Sequence, residues 1–201
     1  MQIMTYSALN ERSVPFYLYR FRQFKHRIRS FTRSIDDELM EQRPRHTSWT
    51  IAECLDHIAQ TNFSYLSPLQ RAIQEHATEY MLDEEEETGF HQRFWMRWFI
   101  WLMEPPFHLH FKAPSMFKPE TDIHTKQALH ELMEAEDEVI HLLEEHPKLN
   151  WGAVKHPHPV LPFFKLNASE TLSLMEAHQR RHLHQAIEIH RQLLLMNASP
   201  G

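Results

Sequence analysis

The sequence predicts an all-α protein: a four-helix, up-down-type bundle with an additional short aromatic helix in a long connection. Three observations lead there. Long stretches repeat apolar residues at steps of three and four, the period of a helix with one buried face. Leu, Ala, Met, Glu, Gln and Arg dominate, all good helix formers, whereas Val is rare and no alternating run marks a strand. Only three Gly occur, and none forms a phosphate-cradling loop, which argues against P-loop and dinucleotide-binding folds. At 201 residues and 42% hydrophobic content, residues 1–201 read as one domain with a full core of its own.

The first long helix is expected from about Val14 to Met40, with a break near Ser30, and Pro44 ends it. The second starts after Ser48-Trp-Thr and runs to about His76. Thr50 with Glu53 three residues later has the pattern of a capping box, and Ile51, Leu55, Ile58, Tyr65, Leu66 and Leu69 form the buried stripe. The acidic run Asp83–Glu87 and Gly89 read as a solvated linker. A short aromatic helix follows from about His91 to Met103, stopped by Pro105 and Pro106, and a proline-punctuated loop runs from Phe107 to Pro119. The third long helix is expected from about Asp122 to Glu145, with Ala128, Leu132, Ala135 and Val139 in its stripe. Residues 148–166 read as a second loop. The last helix opens at Asn167, a good N-cap with Glu170 three residues on, and continues to about Met196.

The net charge of −6 does not suggest a nucleic-acid partner. The early basic residues Arg20, Arg22, Lys25, Arg27, Arg29 and Arg33 interleave with Phe21, Phe24, Ile28 and Phe31, as on the solvated face of an amphipathic helix. One cysteine, Cys54, permits no intramolecular disulfide, and no signal peptide is recognised ahead of the first helix, so a reducing, cytoplasmic setting is expected. The apolar run from Phe94 to Met103 is too short for the ~30 Å hydrocarbon core of a membrane. It reads as a core helix, with a homodimer surface through Trp95, Trp98 and Trp101 as the alternative.

Seventeen histidines are present, and His178 and His182 are the one pair spaced by four. Roughly one such pair arises by chance at this composition, so spacing alone says little. Their position says more. Thr171, Met175, His178, His182, Gln185, Ile189 and Leu193 follow alternating steps of three and four, the inward seam of a bundle helix. Two imidazoles buried together need a partner, and a divalent metal is one. The alternative places the pair at a wetter end of the bundle, bonded to backbone or water. A third ligand has to come from another helix. His57 is the best candidate, although it sits at the flank of its helix's apolar stripe, where a plain surface histidine is also expected.

The segment Trp49-Thr-Ile-Ala-Glu-Cys-Leu-Asp-His57 resembles the opening of the second helix in the DinB/YfiT-like family. There a Trp, a small capping residue and an acidic residue precede a metal-binding His eight residues after the Trp. His178-Gln-Arg-Arg-His182-Leu-His-Gln185 is similar to the family's His-x-x-Arg-His-Leu-x-Gln signature, and Pro162-Phe-Phe-Lys-Leu resembles its lead-in. The resemblance implies a four-helix bundle holding a divalent metal through three histidines, here His57, His178 and His182. Neutral imidazoles suit zinc, nickel or iron. Ligating histidines usually have a partner for the second ring nitrogen, and Glu53 and Gln185 are candidates; Tyr65, two turns after His57, could reach a pocket.

Family activities resemble thiol chemistry, so the resemblance implies a metal-dependent transferase or hydrolase acting on a small molecule, with a low-molecular-weight thiol as a possible substrate. A non-catalytic metal-binding bundle with a stress or partner-binding role is the alternative. No Ser/His/Asp or Cys/His pattern is visible, and Cys54 reads as a small buried hydrophobe.

Overall fold

A computed structural model describes residues 13–82, 90–103, 119 and 123–198. Among these residues the order is α1 (Val14–Thr32), α2 (Asp37–Met40), α3 (Ile51–His76), α4 (Phe94–Met103), α5 (Thr125–Glu145), β1 (Lys155–Pro157), β2 (Lys165–Asn167) and α6 (Ala168–Ala198). The expected all-helical class holds, with a small sheet added. The linker at 83–87, Gly89, Pro105, Pro106, residues 107–118 and Asp122 lie outside the described residues.

Local chemistry sets the helix boundaries. Ser13 caps α1 by accepting from the Phe16 amide at 3.3 Å. Tyr17, Phe21, Phe24 and Ile28 form its buried stripe. The expected span from Val14 to Met40 with a break near Ser30 is found: α1 stops at Thr32, and α2 begins four residues after Arg33 and ends at Met40. Near the stop, the Thr32 hydroxyl donates to the Ile28 carbonyl at 3.0 Å, a local bond that competes with regular helix. The capping box of α3 forms, with the Glu53 amide donating to Thr50 Oγ1 at 3.0 Å and the Thr50 amide to Glu53 Oε2 at 2.8 Å. A second box opens α6, where the Glu170 amide donates to Asn167 Oδ1 at 2.8 Å and the Asn167 amide to Glu170 Oε2 at 3.2 Å.

The stretch expected as plain loop before α6 contains an antiparallel hairpin, with Lys155 opposite Asn167, His156 opposite Leu166 and Pro157 opposite Lys165. Three-residue strands carrying Lys, His and Pro have no sequence alternation to announce them. Packing holds them: His156 and Leu166 are buried, and β1 lies against α3.

Helix α3 packs on α5 and α6, and α1 packs on the same two helices. One apolar cluster joins Tyr17 and Phe21 of α1, Leu66 and Leu69 of α3, Val139 and Leu143 of α5, and Leu172 and Met175 of α6. The other joins Phe24 and Ile28, Ile51 and Leu55, Ala128 and Leu132, and Leu183 and Ile189 of those same helices. Passing from the first cluster to the second, residue numbers rise along α1 and α6 and fall along α3 and α5. Thus α3 and α5 run in the same direction, and the simple up-down alternation is corrected; the long connection between them supplies the return path. Between the clusters in chain position lie buried polar residues: Thr61 and Asn62 on α3, Glu136 on α5 and Gln179 on α6.

One further expectation changes. Met96, Ile100, Leu102 and Met103 of α4 are buried, but Phe94, Trp95, Trp98 and Trp101 are exposed, so its tryptophans are not core. The basic face of α1 is partly consumed by ion pairs to its neighbours: Arg20 Nε donates to Glu176 at 2.7 Å, and Arg22 and Lys25 pair with Glu144 and Asp137 of α5. Among the described residues, no helix is long and apolar enough to cross a membrane.

Candidate metal centre

The antiparallel packing of α3 on α6 brings His57 to His178 and His182. Ring centroids lie 4.9 Å apart for His57 and His178, 4.4 Å for His57 and His182, and 4.4 Å for His178 and His182. One nitrogen from each ring falls within 4.8 Å of the others, so the three could hold a metal ion. His57 and His182 are buried; His178 is half-buried as a residue, but its Nδ1 atom is inaccessible and has no hydrogen-bond partner.

The donor set fits a divalent ion. Metal–nitrogen bonds of about 2.0–2.1 Å at tetrahedral angles place nitrogens about 3.3 Å apart, and His57 Nε2 lies 3.2 Å from His178 Nε2. The rings also favour the ligating, neutral form. Burial pushes His178 well below the ordinary histidine value, helped by His182, His57 and Arg181. Burial does the same to His182, followed by His57 and Arg181. His182 Nδ1 lies 3.0 Å from Gln185 Oε1. With the amide oxygen accepting, the ring proton sits on Nδ1, and Nε2 is left with its lone pair free.

Trp49 walls the cluster. Its indole lies 5.7 Å from the His182 ring at 24° and 4.9 Å from the His57 ring at 59°. Arg181 adds a positive charge beside both α6 histidines, a smaller cause of their lowered values than burial, and it also donates to the Met103 carbonyl of α4 at 3.3 Å. In the sequence Trp49 and Arg181 are motif letters with no role attached. Only the fold shows one as a wall and the other as a charge.

The other candidate residues divide. Gln185 reaches His182. Glu53 instead bonds to its cap and to Arg43, whose Nη1 donates to Glu53 Oε2 at 2.6 Å. Tyr65 lies further along α3, its hydroxyl 3.1 Å from His158 Nε2. His158 comes from the loop after β1 and had no sequence signal. Cys54 is a buried free thiol, and burial pushes its pKa up, which disfavours the nucleophilic thiolate.

Neither a curated protein nor a solved structure shows significant similarity to the chain. A family model for the DinB superfamily does match, over residues 20–186, a span that includes α3, the hairpin and all three clustered histidines. On that match the chain belongs to the DinB superfamily.

Proposed function

We propose that this protein is a divalent-metal-dependent enzyme acting on a small molecule, S-transferase-like or hydrolase-like, with His57, His178 and His182 as the metal ligands. We propose also that residues 1–201 form a single bundle domain. The observation that carries the functional reading is the convergence of three histidines from two helices, with nitrogens within 4.8 Å. Three nitrogen ligands leave a coordination position open to water or substrate, as catalytic rather than structural sites do. Zinc, nickel and iron all suit neutral imidazoles.

A divalent ion bound there supplies Lewis-acid chemistry, lowering the pKa of a water or thiol placed on it. The chain's own residues do the rest. Gln185 fixes the tautomer and direction of the His182 ring. Trp49 excludes water from one side and keeps His57 and His182 in their orientations. The Arg181 guanidinium favours an anionic species beside the histidines. Small-molecule substrates, with a low-molecular-weight thiol first among them, fit this charge better than cations. A homodimer contact would use the exposed tryptophan face of α4.

The test is elemental analysis of purified protein with an anomalous-scattering map, followed by His182→Ala. Bound metal that is lost in the variant, together with thiol-dependent turnover of an electrophile panel, supports the enzyme. Bound metal with no turnover across thiols and hydrolysable substrates favours the non-catalytic bundle. Failure to load zinc, nickel or iron overturns both.

A further inference from the structure

The flank of α3 that carries His57 continues through Thr61 and Tyr65. Successive positions advance about 6 Å and rotate about 40°, so the three form a track about 12 Å long. At one end His57 meets His178 of α6; at the other Tyr65 meets His158, in the connection between β1 and β2.

Two hydrogen-bonding functions on this track are unfilled. Thr61 Oγ1 is inaccessible and has no partner. His158 Nδ1 accepts from the Val160 amide at 3.0 Å and the Leu161 amide at 3.3 Å. The ring proton therefore sits on Nε2 and is donated to the Tyr65 oxygen. The Tyr65 hydroxyl proton is left with no acceptor among the described residues, although the residue is 6% exposed. Buried donors are rarely left so unless water, an ion or a bound molecule fills them.

Resting on the proposed metal centre, we infer that Thr61 and Tyr65, with His158 orienting the tyrosine, bind the far end of an elongated substrate whose near end reaches the three histidines. The chemistry recognised is a carbonyl or carboxylate oxygen placed roughly 8–12 Å from the reacting atom. Burial keeps the Tyr65 phenol protonated and His158 neutral, so the subsite offers neutral donors to an oxygen acceptor. A short thiol lacking such an oxygen reaches the histidines alone.

The test uses cobalt-loaded protein titrated with glutathione and with 2-mercaptoethanol, read by thiolate-to-cobalt absorption. Glutathione is expected to bind at least tenfold more tightly than 2-mercaptoethanol. Tyr65→Phe and Thr61→Val, which keep side-chain shape, should each cut that advantage about five- to tenfold, with 2-mercaptoethanol affinity unchanged. Equal affinity of the two thiols in the native protein, or equal loss of both in the variants, overturns the inference. If cobalt does not bind, the metal centre has failed, and the subsite is tested separately with S-methylglutathione on metal-free protein. A shift of the Tyr65 ring resonances on addition, weakened about five- to tenfold in apparent affinity by Thr61→Val, then supports the subsite; no shift overturns it.

Discussion

The indole of Trp49 lies over the imidazole of His182, with centroids 5.7 Å apart and planes 24° from parallel. Because the same indole touches His57, one side chain braces histidines on two helices. Trp49→Ala should weaken metal binding about 10- to 100-fold, the usual effect of removing support behind ligands. Trp49→Phe should keep most of the affinity. Competition against a chelator measures both, and unchanged affinity in the alanine variant would show that the indole only packs.

Gln185 acts on His182 through a single hydrogen bond. Gln185→Leu removes the acceptor and is expected to lower metal affinity about 10- to 100-fold. Gln185→Glu restores an acceptor and should restore affinity. Calorimetric titration distinguishes this from a packing effect, which the glutamate would not rescue.

Glu53 bonds to its helix cap and to Arg43. Glu53→Ala strips Arg43 of its carboxylate partner and leaves the Thr50 amide unfilled, at a cost of about 1–3 kcal/mol by denaturant unfolding. Metal stoichiometry should stay the same. Loss of metal in a variant that remains folded would place Glu53 back among the site's supports.

Two buried groups outside the histidine cluster contribute to the pH dependence of folding in opposite senses. Burial raises Glu136 well above its ordinary 4.5, with Asn62 donating to it at 3.0 Å. The folded state holds that proton more tightly than the unfolded state, so this group's stabilisation is full at low pH and is lost as pH rises from about 4.5 through the raised value. Glu136→Gln should remove that decline. His156 behaves in the opposite sense. Burial lowers it from 6.5 to about 4, so stability falls as pH drops through that window, by about 3 kcal/mol at 1.4 kcal/mol per unit. His156→Gln should flatten the acid limb in urea unfolding measured across pH.

Much of the helix plan was legible in the residues. Thr50 with Glu53 and Asn167 with Glu170 mark helix starts because capping is a local bond between neighbours in sequence. The seam through His178 and His182 was visible as periodicity. The break expected near Ser30 lies within two residues of the observed end of α1 at Thr32. The hairpin at 155–167 was missed because burial of His156 and Leu166, not strand propensity, holds it. The tryptophans of α4 misled in the other direction, since apolar content does not say which face meets α6.

The sequence by itself determined the helical class and the caps, because these depend on residue type and short-range spacing; the three histidines were marked out by the family resemblance of two segments and not by spacing. Only the tertiary structure decided that α3 and α5 run the same way, that Trp49 covers His182, and that His158 meets Tyr65. Those contacts join residues distant along the chain, and their geometry is fixed by how apolar faces pack together rather than by any local pattern.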